Sequence, residues 1–172
     1  LDSFSNNIIH AFRSLGCTVD IYDGRGEITD FNHDAVVIGP GPGRPEISPL
    51  SLHAAKLAIP VLGICLGHQA IGVTRGMDLI ESPLGPVHGV PSPVLADGSG
   101  LLKEGEHVMT RYNSLVLSGD GELTVTATDE TGTLPMEIRD GKTYGVQFHP
   151  ESIGSQNGMS VFEEFLNRVA HC

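Results

Sequence analysis

Cys65 lies between two glycines in the stretch Gly63-Ile64-Cys65-Leu66-Gly67. A Gly-x-nucleophile-x-Gly spacing permits the sharp strand-to-helix bend that lifts a nucleophile clear of its neighbours. At a helix start, the free N–H groups and the dipole favour a thiolate over a thiol. The competing reading is a buried structural cysteine, since free cysteine is among the most buried residue types. Further along, His149-Pro150-Glu151 sets an imidazole and a carboxylate two positions apart. In extended backbone such side chains face the same way, and Pro150 stiffens the link. A carboxylate on one ring nitrogen selects the tautomer and leaves the other nitrogen for a thiol. The arrangement is nucleophile, base and orienting group. It competes with a metal pair or an ordinary surface turn. His68, His88 and His107 lack the spacing to complete a ligand set with His149, so no metal is expected. The third candidate is Gly39-Pro40-Gly41-Pro42-Gly43. Glycines admit close approach of backbone to a ligand and prolines hold the loop rigid, so it can offer a fixed N–H to an oxyanion. The Gly-Lys-Ser/Thr ending of a phosphate-binding loop is absent, and a plain tight connector is the alternative.

These residues need a scaffold. Asp2 or Ser3 is a candidate N-cap for a helix carrying Ile8, Ile9, Phe12 and Leu15, with Gly16 just beyond its end. Residues 17–22 alternate and predict a strand; residues 35–38 form a continuous apolar run of the kind buried on both faces. A helix is expected over 50–58, a buried strand over 60–64 and a short helix over 66–74. Strand–helix alternation argues for a parallel α/β sheet. Beyond Met77 the pattern changes to short segments at 108–111, 115–117, 123–128, 136–139 and 144–148. Turns such as Gly119-Asp120-Gly121 and Asp140-Gly141 part them, which predicts antiparallel strands. Val161, Phe162, Phe165, Leu166 and Val169 recur at helical spacing in a final helix over 158–170. The expected fold class is α/β: a mixed, mostly parallel central sheet flanked by helices, with an antiparallel C-terminal portion. No repeat, low-complexity tract or linker-like shift divides residues 1–172, so a single domain is expected.

The 172 residues carry 10 Lys+Arg against 21 Asp+Glu, a formal net charge of −11, with the cations scattered. That argues against nucleic acid and against an anionic membrane surface as partners. The most apolar run, 57–66, is broken by Pro60 and Gly63 and is too short to span a bilayer. Three widely spaced cysteines, Cys17, Cys65 and Cys172, make no disulfide framework. With no secretory signal at the first residue, a reducing, cytoplasmic setting is expected. Cys17 and Cys172 lack an activating context, and His68 reads as a packing or hydrogen-bonding residue.

Pro40-Gly41-Pro42-Gly43, Gly63-Ile64-Cys65-Leu66-Gly67-His68-Gln69-Ala70 and Gly145-Val146-Gln147-Phe148-His149-Pro150-Glu151-Ser152 occur in that order. Together they closely resemble the class I, triad-type glutamine amidotransferase family, over nearly the whole chain. Asp2-Ser3-Phe4, Val87-His88-Gly89, Asp97-Gly98-Ser99-Gly100 and Arg111-Tyr112-Asn113-Ser114-Leu115 narrow the likeness. It is greatest to the amidotransferase components of anthranilate synthase and aminodeoxychorismate synthase. The resemblance implies a flavodoxin-like fold and glutamine hydrolysis through a thioester on Cys65. His149 would move protons, Glu151 would orient it, and the N–H groups of Leu66 and Gly41 would form the oxyanion hole. Gly41, Pro42 and Gly43 would shape the glutamine pocket. Gln69 and the backbone of Ser114 and Leu115 would hold the amino-acid end. No cofactor is implied. L-glutamine is the implied substrate, and a chorismate-binding synthase, separate or fused, is the implied partner. Ammonia would reach it by an enclosed path, because in bulk water it would be protonated.

The likeness departs at three places. The family's first strand would precede Asp2, Asn113 stands where histidine is common, and Val90 stands where a basic residue often follows His-Gly. Two other readings fit the same triad: a γ-glutamyl hydrolase, and a non-enzymatic regulatory module that binds a partner.

Overall fold

The structure is a computed structural model describing residues 3–170. Asp2, one of the two N-cap candidates, and Cys172 lie outside the described residues. Helix α1 (Ser3–Ser14) presents Ile8, Ala11 and Phe12 inward. It stops where expected: Gly16 has φ +88°, and Cys17 N–H reaches back to the carbonyl of Phe12 at 3.1 Å. That left-handed residue closes the last turn without a Cβ clash.

Strands β1 (Val36–Ile38) and β2 (Val61–Ile64) follow, with a 3₁₀ turn (Pro45–Ile47) and helix α2 (Pro49–Ala54) between them. After β2 come α3 (Leu66–Thr74), β3 (Asp78–Glu81), β4 (Val87–Ala96) and β5 (Gly105–Asn113). Strands β6 (Leu115–Ser118), β7 (Thr124–Asp129), β8 (Pro135–Asp140), β9 (Thr143–Val146) and helix α4 (Met159–Ala170) complete the order. The main sheet runs β1-β2-β9-β8-β7-β4-β5, and β3 pairs with β6 in a separate ribbon. Only β1–β2 and β2–β9 pair in parallel. The pairings β9–β8, β8–β7, β7–β4 and β4–β5 are antiparallel. The sheet is mixed and α/β, as expected, but it is not mostly parallel: antiparallel pairings outnumber parallel ones four to two among the described residues, and the parallel part is confined to the three strands nearest Cys65. Helices cover both faces: α1 and α4 meet through Phe12 and Phe162, with ring centroids 5.1 Å apart. Ala70 and Ile71 of α3 pack with Ile38, Leu117 and Ile138 in the second core cluster.

Three further expectations need correction. Residues 17–22 are not a strand. They pair with no strand among the described residues, and β1 remains an edge of the sheet; Cys17 and Val19 pack against the core instead. The expected 50–58 helix ends at Ala54, where the N–H groups of Lys56 and Leu57 turn to the i−3 carbonyls of His53 and Ala54 and tighten the chain out of the α-helix. Strand β4, unexpected because it contains Gly89, Pro91 and Pro93, is ten residues long. Its prolines lie where it pairs with β5 alone, since the β7 ladder touches only Val94, Leu95 and Ala96. A missing N–H costs nothing on an unpaired edge. Gly89, at φ +69°, sits at the register shift between His88 and Val90.

Glu137 of β8 is fully buried and accepts from the N–H groups of Leu101 and Leu102. Burial pushes its pKa up to about 7, against the opposing pull of those N–H groups. The carboxylate thereby ties the 97–102 loop to the sheet.

Candidate active site

Cys65 follows the carboxyl end of β2, the position at which parallel strands of α/β sheets present ligand sites. Its φ of 53° and ψ of −98° are unusual for a residue with a side chain; such strain is sustained only where the surroundings enforce it. Here they do. A Cβ on Gly63 would come 2.4 Å from the Gly67 carbonyl carbon, and one on Gly67 would come 2.2 Å from the Ile38 carbonyl oxygen. Both glycines are required by the close passage of β1, β2 and α3. Cys65 N–H donates to the carbonyl of Val146 at 2.8 Å, tying the bend to β9. Cys65 is a free thiol, 8% exposed.

His149 lies just past β9 and is held by β5. Its N–H donates to the Thr110 carbonyl at 2.9 Å, and its carbonyl accepts from Ser155 Oγ at 2.6 Å. Ser155 Oγ also accepts from Thr110 N–H at 2.9 Å, so residues 149–156 lie along the outer edge of β5. The imidazole packs between Phe4 and Tyr112, with centroids 4.8 and 5.0 Å away. His149 Nδ1 meets Glu151 Oε1 at 2.6 Å, the two side chains 2% and 0% exposed. The two side chains meet as expected, but across a turn in which Ser152 N–H donates to the His149 carbonyl at 3.1 Å, not along extended backbone. Nε2 of His149 is buried with no regular hydrogen bond, and Cys65 is close enough to act on the ring. Burial alone lowers the imidazole pKa; Cys65 and Glu151 outweigh it and raise the value to about 9. The ring is thus cationic at neutral pH.

The other expected site residues are each placed by their own neighbours. Gly41 lies over Leu66; a Cβ on it would touch Leu66 Cδ2 at 3.6 Å. Leu66, as the first residue of α3, has an N–H with no intrahelical partner. Pro42 rigidifies the loop between Gly41 and Gly43. Gly43 has φ +87°, with Ile47 beside it. Gln69, one turn into α3, donates from Nε2 to the Leu115 carbonyl at 3.2 Å. Ser114 is exposed, and its carbonyl accepts from Ser82 N–H at 2.8 Å. The carbonyls of Ser114 and Leu115 are therefore already engaged within the protein. His68 is a packing residue, fully buried against Gly145; burial lowers its pKa to about 4, so it is neutral.

Four neighbours of Cys65 and His149 were not anticipated as site residues: Phe4, Tyr112, Ser155 and Gln147. Gln147 lies at the bend just past β9, two positions before His149, and no local periodicity announces its place beside Cys65. Among the described residues no three His, Cys, Asp or Glu side chains gather in a way that could hold a metal. Two cavities, of 580 and 520 Å³, lie at the opposite end of the parallel strands, near Arg139, Gly141 and Lys142, away from Cys65. No helix among the described residues is long and apolar enough to cross a membrane.

The family profile described as glutamine amidotransferase class-I matches residues 1–169. Anthranilate synthase component 2 of Azospirillum brasilense is 36% identical, covering 96% of this chain and 91% of that protein. Aminodeoxychorismate synthase component 2 of Serratia marcescens is 35% identical, covering 97% and 96%. The solved structure of a putative GMP synthase subunit from Thermoplasma acidophilum superposes with a TM-score of 0.84 at 19% identity, over 99% of this chain and 90% of that one. That last likeness speaks for the fold. With the elbow, the buried imidazole–carboxylate pair and the matched profile all spanning one sheet, the chain belongs to the class-I glutamine amidotransferase family.

Proposed function

We propose that this chain hydrolyses L-glutamine to glutamate and ammonia and hands the ammonia to a chorismate-using synthase, in the cytoplasm. The observation that carries the chemistry is the buried His149, bonded to Glu151 at 2.6 Å and set beside Cys65. Cys65 Sγ attacks the side-chain amide carbon of glutamine. The N–H groups of Leu66 and Gly41 hold the resulting oxyanion. The imidazolium of His149 protonates the nitrogen, the C–N bond breaks and ammonia departs. Water then attacks the thioester, giving its proton to His149, and glutamate leaves with the thiol restored. Glu151, bonded to Nδ1, fixes the orientation of the ring. Gln69 and the backbone at Ser114 and Leu115 hold the amino-acid end of the substrate, beside the pocket that Gly41, Pro42 and Gly43 shape.

The relatives named as component 2 of two synthases support a chorismate-using acceptor, by way of tryptophan or folate biosynthesis. The exposed apolar side chains Leu84, Val90 and Ile153 supply contact area for such a partner. The test compares glutamine hydrolysis by wild type and Cys65→Ser, alone and with each chorismate-using synthase. Wild type is expected to exceed Cys65→Ser by at least about 10³-fold. Its rate should rise with the cognate synthase. A glutamine-derived diazo-ketone should label Cys65 and spare Cys17. Equal rates in the two proteins would end the proposal.

A further inference from the structure

Besides His149, the Cys65 sulfur has a second polar neighbour: Gln147 Nε2 stands 3.7 Å from Sγ, within reach of an N–H···S bond. Gln147 is fully buried, and its backbone N–H is committed to the Met136 carbonyl at 2.9 Å. The side chain must therefore satisfy both of its polar ends inside the protein.

The direction of those bonds follows from one atom. The Leu115 carbonyl can only accept, so Gln69 must turn its NH2 toward it, at 3.2 Å. The same Nε2 lies 3.2 Å from Gln147 Oε1 and gives that oxygen its second N–H. Gln147 then has its oxygen toward Gln69 and its NH2 toward the sulfur. The Leu115 carbonyl is itself braced by Asn113 Nδ2 at 3.1 Å, and Asn113 Oδ1 by Arg111 Nε at 3.3 Å. Every group in this run is held between strands β5, β6 and β9 and helix α3.

We infer that Gln147 holds the Cys65 thiolate for attack, and that the Leu115 carbonyl–Gln69–Gln147–Cys65 chain sets its donor direction. The same chain decides how substrate is met. Both N–H groups of Gln69 are consumed, so the atom it has left to offer is Oε1, an acceptor. An acceptor there suits the α-ammonium group of an amino-acid substrate and rejects its carboxylate. The inference rests on the glutaminase reading for its substrate arm; its sulfur arm stands on geometry alone.

Two variants separate the arms. Gln147→Glu keeps an oxygen for Gln69 but removes the N–H from the sulfur and sets a like charge beside it. We expect kcat and the rate of Cys65 alkylation by iodoacetamide to fall about 10–100-fold, as for loss of a hydrogen bond to a charged group, with KM little changed. Gln147→Met removes both ends, and KM for glutamine should rise as well, because Gln69 is free to turn. A folded Gln147→Glu protein with wild-type kcat and alkylation rate overturns the inference. Should either variant fold poorly, isotope-labelled wild-type protein decides: the side-chain amide signals of Gln147 must shift when Cys65 is alkylated, and unshifted signals overturn the inference. If wild type hydrolyses no glutamine, the proposed function fails, while alkylation and amide signals still report on the sulfur contact. Active wild type with an indifferent Gln147→Glu sinks this inference alone.

Discussion

The bend that carries Cys65 and the segment that carries His149 are built by different physics. Cys65 is placed by exclusion: Gly63 and Gly67 leave no room for a Cβ, and the backbone takes a strained φ of 53° because its neighbours leave it no other path. His149 is placed by attachment: Thr110, Ser155 and Glu151 bond it to the outer strand β5 and to its own chain. Steric exclusion is unforgiving and local. Hydrogen-bonded attachment is graded, and it depends on a strand remote in sequence. A catalytic pair can thus join one half that tolerates almost no substitution to another that can be tuned.

The contrast breaks most sharply at Gly67. In Gly67→Ala the new Cβ meets backbone at 2.2 Å, and the elbow cannot form around it. Expression with circular dichroism should show little folded protein, since such overpacking costs on the order of 3 kcal/mol or more. On the attached side, Glu151→Gln is expected to fold normally and to lose about 10²–10⁴-fold in kcat, as for removal of a general acid–base function. If it lost its fold instead, the two halves would not differ as argued. Ser155→Ala takes the Oγ from both His149 and Thr110. It should cost about 1–3 kcal/mol in thermal stability, with a rate loss of about tenfold or less. The smallest effect is that of alkaline pH. The pKa of His149 is raised from 6.5 to about 9 in the folded protein. Its stabilising contribution is whole below 6.5 and is lost as pH rises through about 9. Glutaminase rate should therefore be halved near that pH and fall beyond it, with a parallel drop in Tm. A rate that climbs through this range would show that the proton on His149 is not the one that leaves with ammonia.

The same distinction explains what could be read from the residues. The elbow and the His149–Glu151 pair were legible because each depends on neighbours a few positions away, where a flanking glycine or an i, i+2 spacing carries the information. Strand β4 was hidden because Pro91 and Pro93 argue against a strand. Only its one-sided pairing, to β5 where the prolines sit, makes them harmless. Residues 17–22 misled for the reverse reason. Their alternation is that of a strand, but a strand is defined by its partner, and none among the described residues lies beside them. Gln147 sat inside a motif yet carried no sign of its role, because an amide reveals its task only when both of its ends are seen.

Residue types and short-range spacing determined by themselves that a thiol would ride a tight bend into a helix and that an imidazole and a carboxylate would share a side. They also pointed to an α/β sheet with an antiparallel end. The tertiary structure alone decided that these two local devices meet. It also decided which ring nitrogen is left for the sulfur and which way the buried amides donate. Those choices belong to hydrogen bonds between groups far apart in the chain, above all the carbonyls of Thr110 and Leu115, and a backbone carbonyl has no side-chain identity by which a sequence could announce it.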